Sequence, residues 1–337
     1  ETLNENLEWT PEPNFTNLLV YTENIYAAYL MAGNKSGKFS YQGGLRGDLS
    51  DITSEFVQTD TIYARDYFNL FPSAHLSYEL SKGHFLQLGY SYRINRPRHW
   101  WLSPFFTFAD SRNFMSGNPN LNPEFIHSTE LGYLKQWEKG SVLTNLYYRH
   151  TRDQIVRIQI SDSTGFTRNF PVNLGTQDAF GLEVSGSYPL FKWWTVTGNA
   201  NYFYAISEGN YEGVDYGAET FIFNGRITSK WRPSTRLALQ TSFDYDSPRN
   251  DNQGRTLARY AWDIGASLDV LKNKGTLSFS GRDILNTRKR RRTVIAETFT
   301  SVSSHQWRAR QFLLNFSYRI NQKKRPDRRG GDFEGGM

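Results

Sequence analysis

The side chains best suited to chemistry are scattered along this sequence rather than gathered. Six histidines stand at positions 75, 84, 99, 127, 150 and 305, and none has the short spacing from which a zinc site is built. There is no cysteine, which removes disulfides, thiolate metal sites and cysteine nucleophiles. A Gly-x-Ser-x-Gly elbow, a phosphate-binding Gly-Lys-Ser/Thr loop and a dinucleotide fingerprint are all missing. Distant strands could still assemble a hydrolytic carboxylate pair, but nothing selects one. No catalytic residue, metal ligand or cofactor site is therefore assigned, and an enzyme is not expected.

Two clusters suit binding better. Trp100, Trp101, Phe105, Phe106 and Phe108 fall within one short segment, where they can stack on a ligand or anchor the chain at a membrane interface. The run Arg288 to Arg292 (RKRRR) offers guanidinium groups to an anionic partner, or is a solvated loop. Trp100, Trp101, Phe105, Arg290 and Arg291 are accordingly the ligand-binding candidates. A second basic run, Lys323 to Arg329, precedes a Gly-rich end. The two runs account for the net charge of +6, since the remainder of the chain is slightly acidic. Neither run sits in an RNA-binding or helix-turn-helix pattern, so no nucleic-acid partner is expected.

The elements that must position these residues are strands. Aromatic residues make up 16% of the 337, yet hydrophobic residues reach only 38%. The mean hydropathy is negative. A wall with lipid-facing apolar residues, polar residues inside and aromatics at both interfaces has this composition. The longest apolar stretch, Ile25 to Gly33, is about half of what a spanning helix needs. Alternation with period 2 recurs instead: Leu86, Leu88, Tyr90, Tyr92 and Ile94 oppose Gln87, Gly89, Ser91 and Arg93. Phe180, Leu182, Val184 and Tyr188 oppose Gly181, Glu183, Ser185 and Ser187. The same rhythm runs through Tyr260 to Val270 and Phe312 to Ile320.

Thirteen strands are expected, at 24–33, 38–50, 67–80, 85–95, 125–137, 141–152, 178–189, 193–205, 219–231, 236–246, 257–271, 276–286 and 308–320. Short turns near 34–37, 81–83, 138–140, 189–192, 232–234 and 272–275 alternate with longer polar connections at 51–66, 96–124, 153–177, 206–218, 247–256 and 288–306. Outer-membrane barrels place short turns in the periplasm and long loops outside. The expected fold is thus all-β, a transmembrane antiparallel up-and-down β-barrel. Residues 1–322 form its C-terminal portion, and 323–337 form a flexible basic, Gly-rich periplasmic tail. Single-chain bacterial barrels have even strand numbers, so thirteen implies at least one more strand before Glu1, with residues 1–20 as loop. The RKRRR run then lies outside, within reach of phosphorylated lipopolysaccharide.

The segment from Arg93 to Tyr133 holds the most specific sequence: Arg93-Ile94-Asn95-Arg96-Pro97, then Ser103-Pro104-Phe105, then Gly117 to Glu124 (GNPNLNPE). With Gly281 to Asn286 (GRDILN) and Asn315 to Asn321, this resembles the C-terminal barrel of TonB-dependent receptors, within the outer-membrane β-barrel proteins. The resemblance covers essentially the whole chain, although its motifs are structural and name no ligand. It implies 22 strands around a plug, with an N-terminal box pulled by TonB. It further implies uptake of a scarce ligand such as an iron chelate, a cofactor or a glycan, and a surface lipoprotein as a further partner. Three alternatives stand beside it: a structural or assembly barrel that imports nothing, an outer-membrane hydrolase, and a soluble all-β binding protein. Pro119 and Pro123 cannot donate ladder hydrogen bonds, so they suit a loop descending to the strand near Phe125, with Glu124 in a structural position.

Overall fold

The computed structural model describes residues 2–3, 9–10, 17–108, 112–161, 164–296 and 299–320. Thirteen strands form one antiparallel sheet in which each strand pairs with the wall strands before and after it. They are β1 (Leu19–Ser36), β2 (Phe39–Phe56), β3 (Thr61–Ser81), β4 (His84–Asn95), β5 (Glu124–Trp137), β6 (Gly140–Arg152) and β7 (Thr176–Phe191). The row continues through β8 (Trp194–Glu208), β9 (Ala218–Trp231), β10 (Leu237–Asp246), β11 (Arg259–Val270), β12 (Gly275–Arg282) and β13 (Gln311–Tyr318). Among the described residues β1 and β13 have a partner on one side only.

Register turns the sequence alternation into two continuous surfaces. One row joins Leu88, Leu131, Leu146, Leu182, Tyr202 and Phe223 across β4 to β9. One step along each strand, a row on the other face joins Gln87, Gly132, Asn145, Glu183, Asn201 and Asn224. The first surface is bare, with Leu146 and Phe180 more than half exposed, so it has the chemistry of a face made for hydrocarbon.

Aromatic belts bound this surface. At the short-turn end Phe191 stacks on Trp193 at 5.4 Å, and Trp194 lies 6.3 Å from Trp231. At the other end Tyr148 stacks on Phe180 at 4.7 Å and Tyr204 on Phe221 at 4.5 Å. From Trp194 to Tyr204 the strand climbs about 25 Å at the usual rise and tilt, the height of an outer-membrane apolar band. At the short-turn end Gly83 has φ +78°, and a Cβ there would lie 2.1 Å from the Gln136 carbonyl, so the turn requires glycine.

Four expectations need correction. Residues 51–66 are not a long connection: β2 and β3 continue to a four-residue turn, with Phe56 opposite Thr61. Their polar sequence is compatible with a strand because this part rises beyond the upper belt, where the outer face meets water. Residues 19 and 20 already belong to β1, and Thr2–Leu3 pairs with Trp9–Thr10, so the first twenty residues are not simply loop. The strand expected over 276–286 ends at Arg282, because Asp283 and Asn286 take φ +50° and +55°. The last strand is shorter than 308–320. The tail at 323–337 lies outside the described residues.

Candidate functional site

Above the wall, long connections fold into a platform, and the sequence motifs serve to hold it. Arg96, just beyond β4, reaches back to β2 and β3. It donates to Asp48 Oδ2 at 3.2 Å, Ser50 Oγ at 2.9 Å and Tyr67 OH at 3.1 Å. Asp48 is 1% exposed and also receives Arg46 through both carboxylate oxygens. The connection then forms α1 (His99–Leu102) and descends through the Gly117–Glu124 motif. Gly117 N donates to Ser103 O, and a Cβ there would lie 2.4 Å from the Trp101 carbonyl. Asn118 Nδ2 donates to Pro171 O, and Asn122 and Asn173 exchange two bonds. Arg65 of β3 caps the Leu121 and Pro119 carbonyls. Glu124 accepts from Ile155 N at 2.6 Å and Asn95 Nδ2 at 2.5 Å, so its carboxylate ties two connections to β5.

The next connections build small sheets. Strand Ile155–Ser161 pairs with Thr167–Asn173, which also pairs in parallel with Asn113–Met115 of the preceding connection. One face buries Ile158, Phe170, Val172 and Leu174 against Tyr216 of the following connection. Farther on, strands Arg249–Asp251, Gly254–Thr256, Arg290–Ile295 and Thr300–His305 form a second sheet. Gln253 joins the two sheets: its Oε1 accepts from Gln159 N at 2.6 Å and its Nε2 donates to Gln159 O at 2.8 Å.

Charge is distributed across this platform in pairs. Arg292 holds Asp251 through two bonds. Arg288 bridges Asp244 at 3.1 Å and Asp263 at 2.9 Å on the inner face. Burial pulls the Arg288 pKa down, but the Asp263 hydrogen bond and the Asp263, Asp244 and Asp283 charges outweigh it, so the net shift is upward. Arg157 bonds to Asn169 and Ser116, both neutral, and burial lowers its pKa. Among the described residues no group of three or more histidine and carboxylate side chains could hold a metal. The platform shows hydrogen bonding, ring stacking and cation–π contact, interactions that suit recognition.

The five ligand candidates separate. Trp100 is half exposed, with the Arg98 guanidinium 5.1 Å from its ring. Trp101 is half-buried and its carbonyl accepts from Asn118 N. Phe105 meets Phe56 edge-on at 5.5 Å, so it packs against the rising β2–β3 hairpin. Arg290 and Arg291 are exposed on the second sheet, while Arg288 and Arg292 of the same run are committed to carboxylates. Sequence reading missed a further aromatic group, in which Phe114 lies 5.8 Å from Phe106 and 5.4 Å from Phe166, with Arg168 over Phe106. Phe106 is legible in the sequence as part of an aromatic cluster; Phe166 stands alone there, without a local signal to join it.

Comparison with known proteins places this architecture. The chain superimposes on the copper transporter OprC with a TM-score of 0.63 and 12% identity, covering 88% of this chain and 50% of that one. The siderophore receptor PiuA from Acinetobacter baumannii gives 0.63 and 12%, covering 89% and 44%. The ferric citrate transporter FecA, unliganded, gives 0.61 and 14%, covering 90% and 46%. At such identities the likeness concerns the fold, and the chain spans about half the length of these solved chains. No curated protein sequence matches it. The description "Outer membrane protein beta-barrel family" fits residues 1–318. With its lipid-type outer face, two aromatic belts and long-loop platform, the chain belongs to the outer membrane protein β-barrel family and resides in the Gram-negative outer membrane.

Proposed function

We propose that this chain supplies about thirteen strands of a wider, 22-stranded barrel that imports a scarce ligand, such as an iron chelate, a cofactor or a glycan, with energy delivered through TonB. The observation that carries this reading is the sheet itself. Among the described residues thirteen strands run in order and β1 and β13 pair on one side only, while solved transporters and siderophore receptors of the same fold are about twice as long. Unpaired edges facing lipid would cost several kcal/mol for each unsatisfied backbone group, so further strands complete the wall. A plug fits the inner face, where Arg226, Lys230, Gln240, Asp263 and Arg282 contribute to a recess of about 530 Å³ with a mixed polar and apolar lining.

Trp100, Trp101 and Phe105 on one side of the platform and Arg290 and Arg291 on the other are the ligand contacts of this reading, and the protein is not an enzyme. A surface lipoprotein would sit over the same platform. Accumulation of radiolabelled ligand in a deletion strain tests it, with the intact gene restored and a protonophore as control. Restored uptake that the protonophore abolishes is the expected result. Unchanged accumulation across a panel of iron chelates, cofactors and oligosaccharides, with and without the gene, would favour a structural barrel instead.

A further inference from the structure

On the lipid-facing side, directly above the upper aromatic belt, the register gathers basic side chains that the transport reading does not use. His127 of β5 stands opposite His150 of β6, and Arg152 lies one step higher, opposite Phe125. Each is held in place. His127 stacks on Tyr92 with ring centroids 4.3 Å apart, and its Nδ1 bonds to the Tyr90 hydroxyl at 2.9 Å. Arg152 donates to Tyr92 OH at 3.1 Å and lies 5.9 Å from the Phe125 ring centroid. His150 Nδ1 meets Asp178 Oδ1 at 2.8 Å, and the same oxygen accepts from Tyr148 OH at 2.6 Å. Among the described residues no hydrogen-bond partner meets the Nε2 atoms of the two imidazoles, and part of the Arg152 guanidinium is likewise left over. Among the described residues Asp178 is the carboxylate bonded to the group and is occupied by two donors, while Glu208 is separated from Arg152 by Thr176.

Below this row the wall bears a shallow apolar depression, open to the lipid side. Thr129, Leu131, Leu146, Phe180, Leu182 and Tyr202 line an apolar groove of about 520 Å³ on the lipid side. Groove and basic row are contiguous, because Tyr148 and Phe180 belong to the groove and lie one step below His150 and Asp178. A cation and two imidazoles at headgroup height, continuous with a shallow apolar groove at acyl-chain depth, match one kind of molecule: an amphiphile whose anionic head lies above its hydrocarbon.

We propose that this surface is a specific site for a phosphorylated, acylated glycolipid of the outer leaflet, with its phosphate on Arg152, His127 and His150 and an acyl chain in the groove. When Tyr90 donates to His127 Nδ1, the imidazole presents Nε2–H to a phosphate oxygen. With its Nδ1–H given to Asp178, the His150 ring offers Nε2 to accept from the hydroxyl of a monoprotonated phosphate. Arg152 supplies the fixed charge and two geometrically matched donors. The site is separate from the exposed pair Arg290 and Arg291, which stand on the loop platform.

The test uses native mass spectrometry of the full-length protein extracted from outer membranes. The probes are a bis-phosphorylated acylated glucosamine disaccharide, its dephosphorylated form and inorganic phosphate. Arg152→Ala combined with His127→Ala should weaken retention of the phosphorylated lipid by about tenfold or more and leave the dephosphorylated lipid unchanged. Leu182→Trp, which fills the groove, should weaken both lipids, and Arg290→Ala with Arg291→Ala should weaken neither. Arg152→Lys keeps the charge and provides a folded comparison should the alanine variant misassemble; it should bind less tightly than the parent. Equal retention of phosphorylated and dephosphorylated lipid by the parent would overturn the assignment. So would displacement of the lipid by millimolar inorganic phosphate, which would mark a site for a soluble anion.

Discussion

The wall and the loop platform use apolar residues in opposite ways. In the wall, Leu30, Leu146, Phe180 and Leu314 are bare on a single sheet that has no second layer behind it. In the platform, Ile158, Phe170, Val172 and Leu174 are sealed beneath Tyr216, as in a small soluble domain. The difference teaches where each part obtains its stability. The wall depends on hydrocarbon to cover one face, and its backbone bonds are satisfied strand to strand. The platform, standing in water, must bury its own apolar surface and pair its own charges.

Substitutions can break or sharpen that contrast, and the largest effect is expected where the two regions join. Asp48→Ala leaves Arg46 and Arg96 without their shared, fully buried carboxylate; it should cost about 3–5 kcal/mol and release the connection that begins at Arg96. Hydrogen exchange there should rise while β7 to β9 stay protected. Ile158→Ala opens a cavity in the platform core and should cost about 2–5 kcal/mol. That loss should appear as platform proteolysis, with the wall still migrating as a folded barrel.

In the wall the rule reverses. Arg at Ile264 or Leu314 should cost about 2–4 kcal/mol in lipid vesicles, because it places charge in hydrocarbon, whereas Arg at Ser267 or Ser317 should cost far less. Equal costs on the two faces would remove the distinction. Smaller still, Glu124→Gln keeps the size but weakens two bonds, one to Ile155 N and one to Asn95, and should cost about 1 kcal/mol. Arg290→Ala with Arg291→Ala should move stability by under about 0.5 kcal/mol, since both are exposed. Any effect of that pair should appear in ligand affinity instead.

Local pattern made the wall readable and could not make the platform so. Most wall strands carry their own alternation and end at a turn or a polar connection, and that is enough to place them without knowing their neighbours. The platform is assembled from partners far apart in sequence: Asn113–Met115 beside Thr167–Asn169, and Gln159 locked to Gln253. No period reports such pairings. The end of β12 shows the same limit on a smaller scale. Asp283-Ile284-Leu285 continues the alternation on paper, but the Asp283 carboxylate accepts from Thr287 N and Arg288 N and turns the chain. The basic run reads as one patch, yet Arg288 and Arg292 are neutralised by Asp244, Asp263 and Asp251, whose positions only the fold reveals. The candidate Phe105 was legible as an aromatic, but its contact with Phe56 depends on a hairpin whose polar sequence hid it.

Site-directed spin labelling along β11, in the intact protein reconstituted into lipid, tests the two-faced wall most directly. Labels at Tyr260, Trp262, Ile264, Ala266 and Leu268 should collide with oxygen dissolved in the bilayer. Labels at Ala261, Asp263, Gly265, Ser267 and Asp269 should collide with a water-soluble relaxant, giving a strict two-residue period. Accessibility without that period, or with the two sets interchanged, would contradict the account.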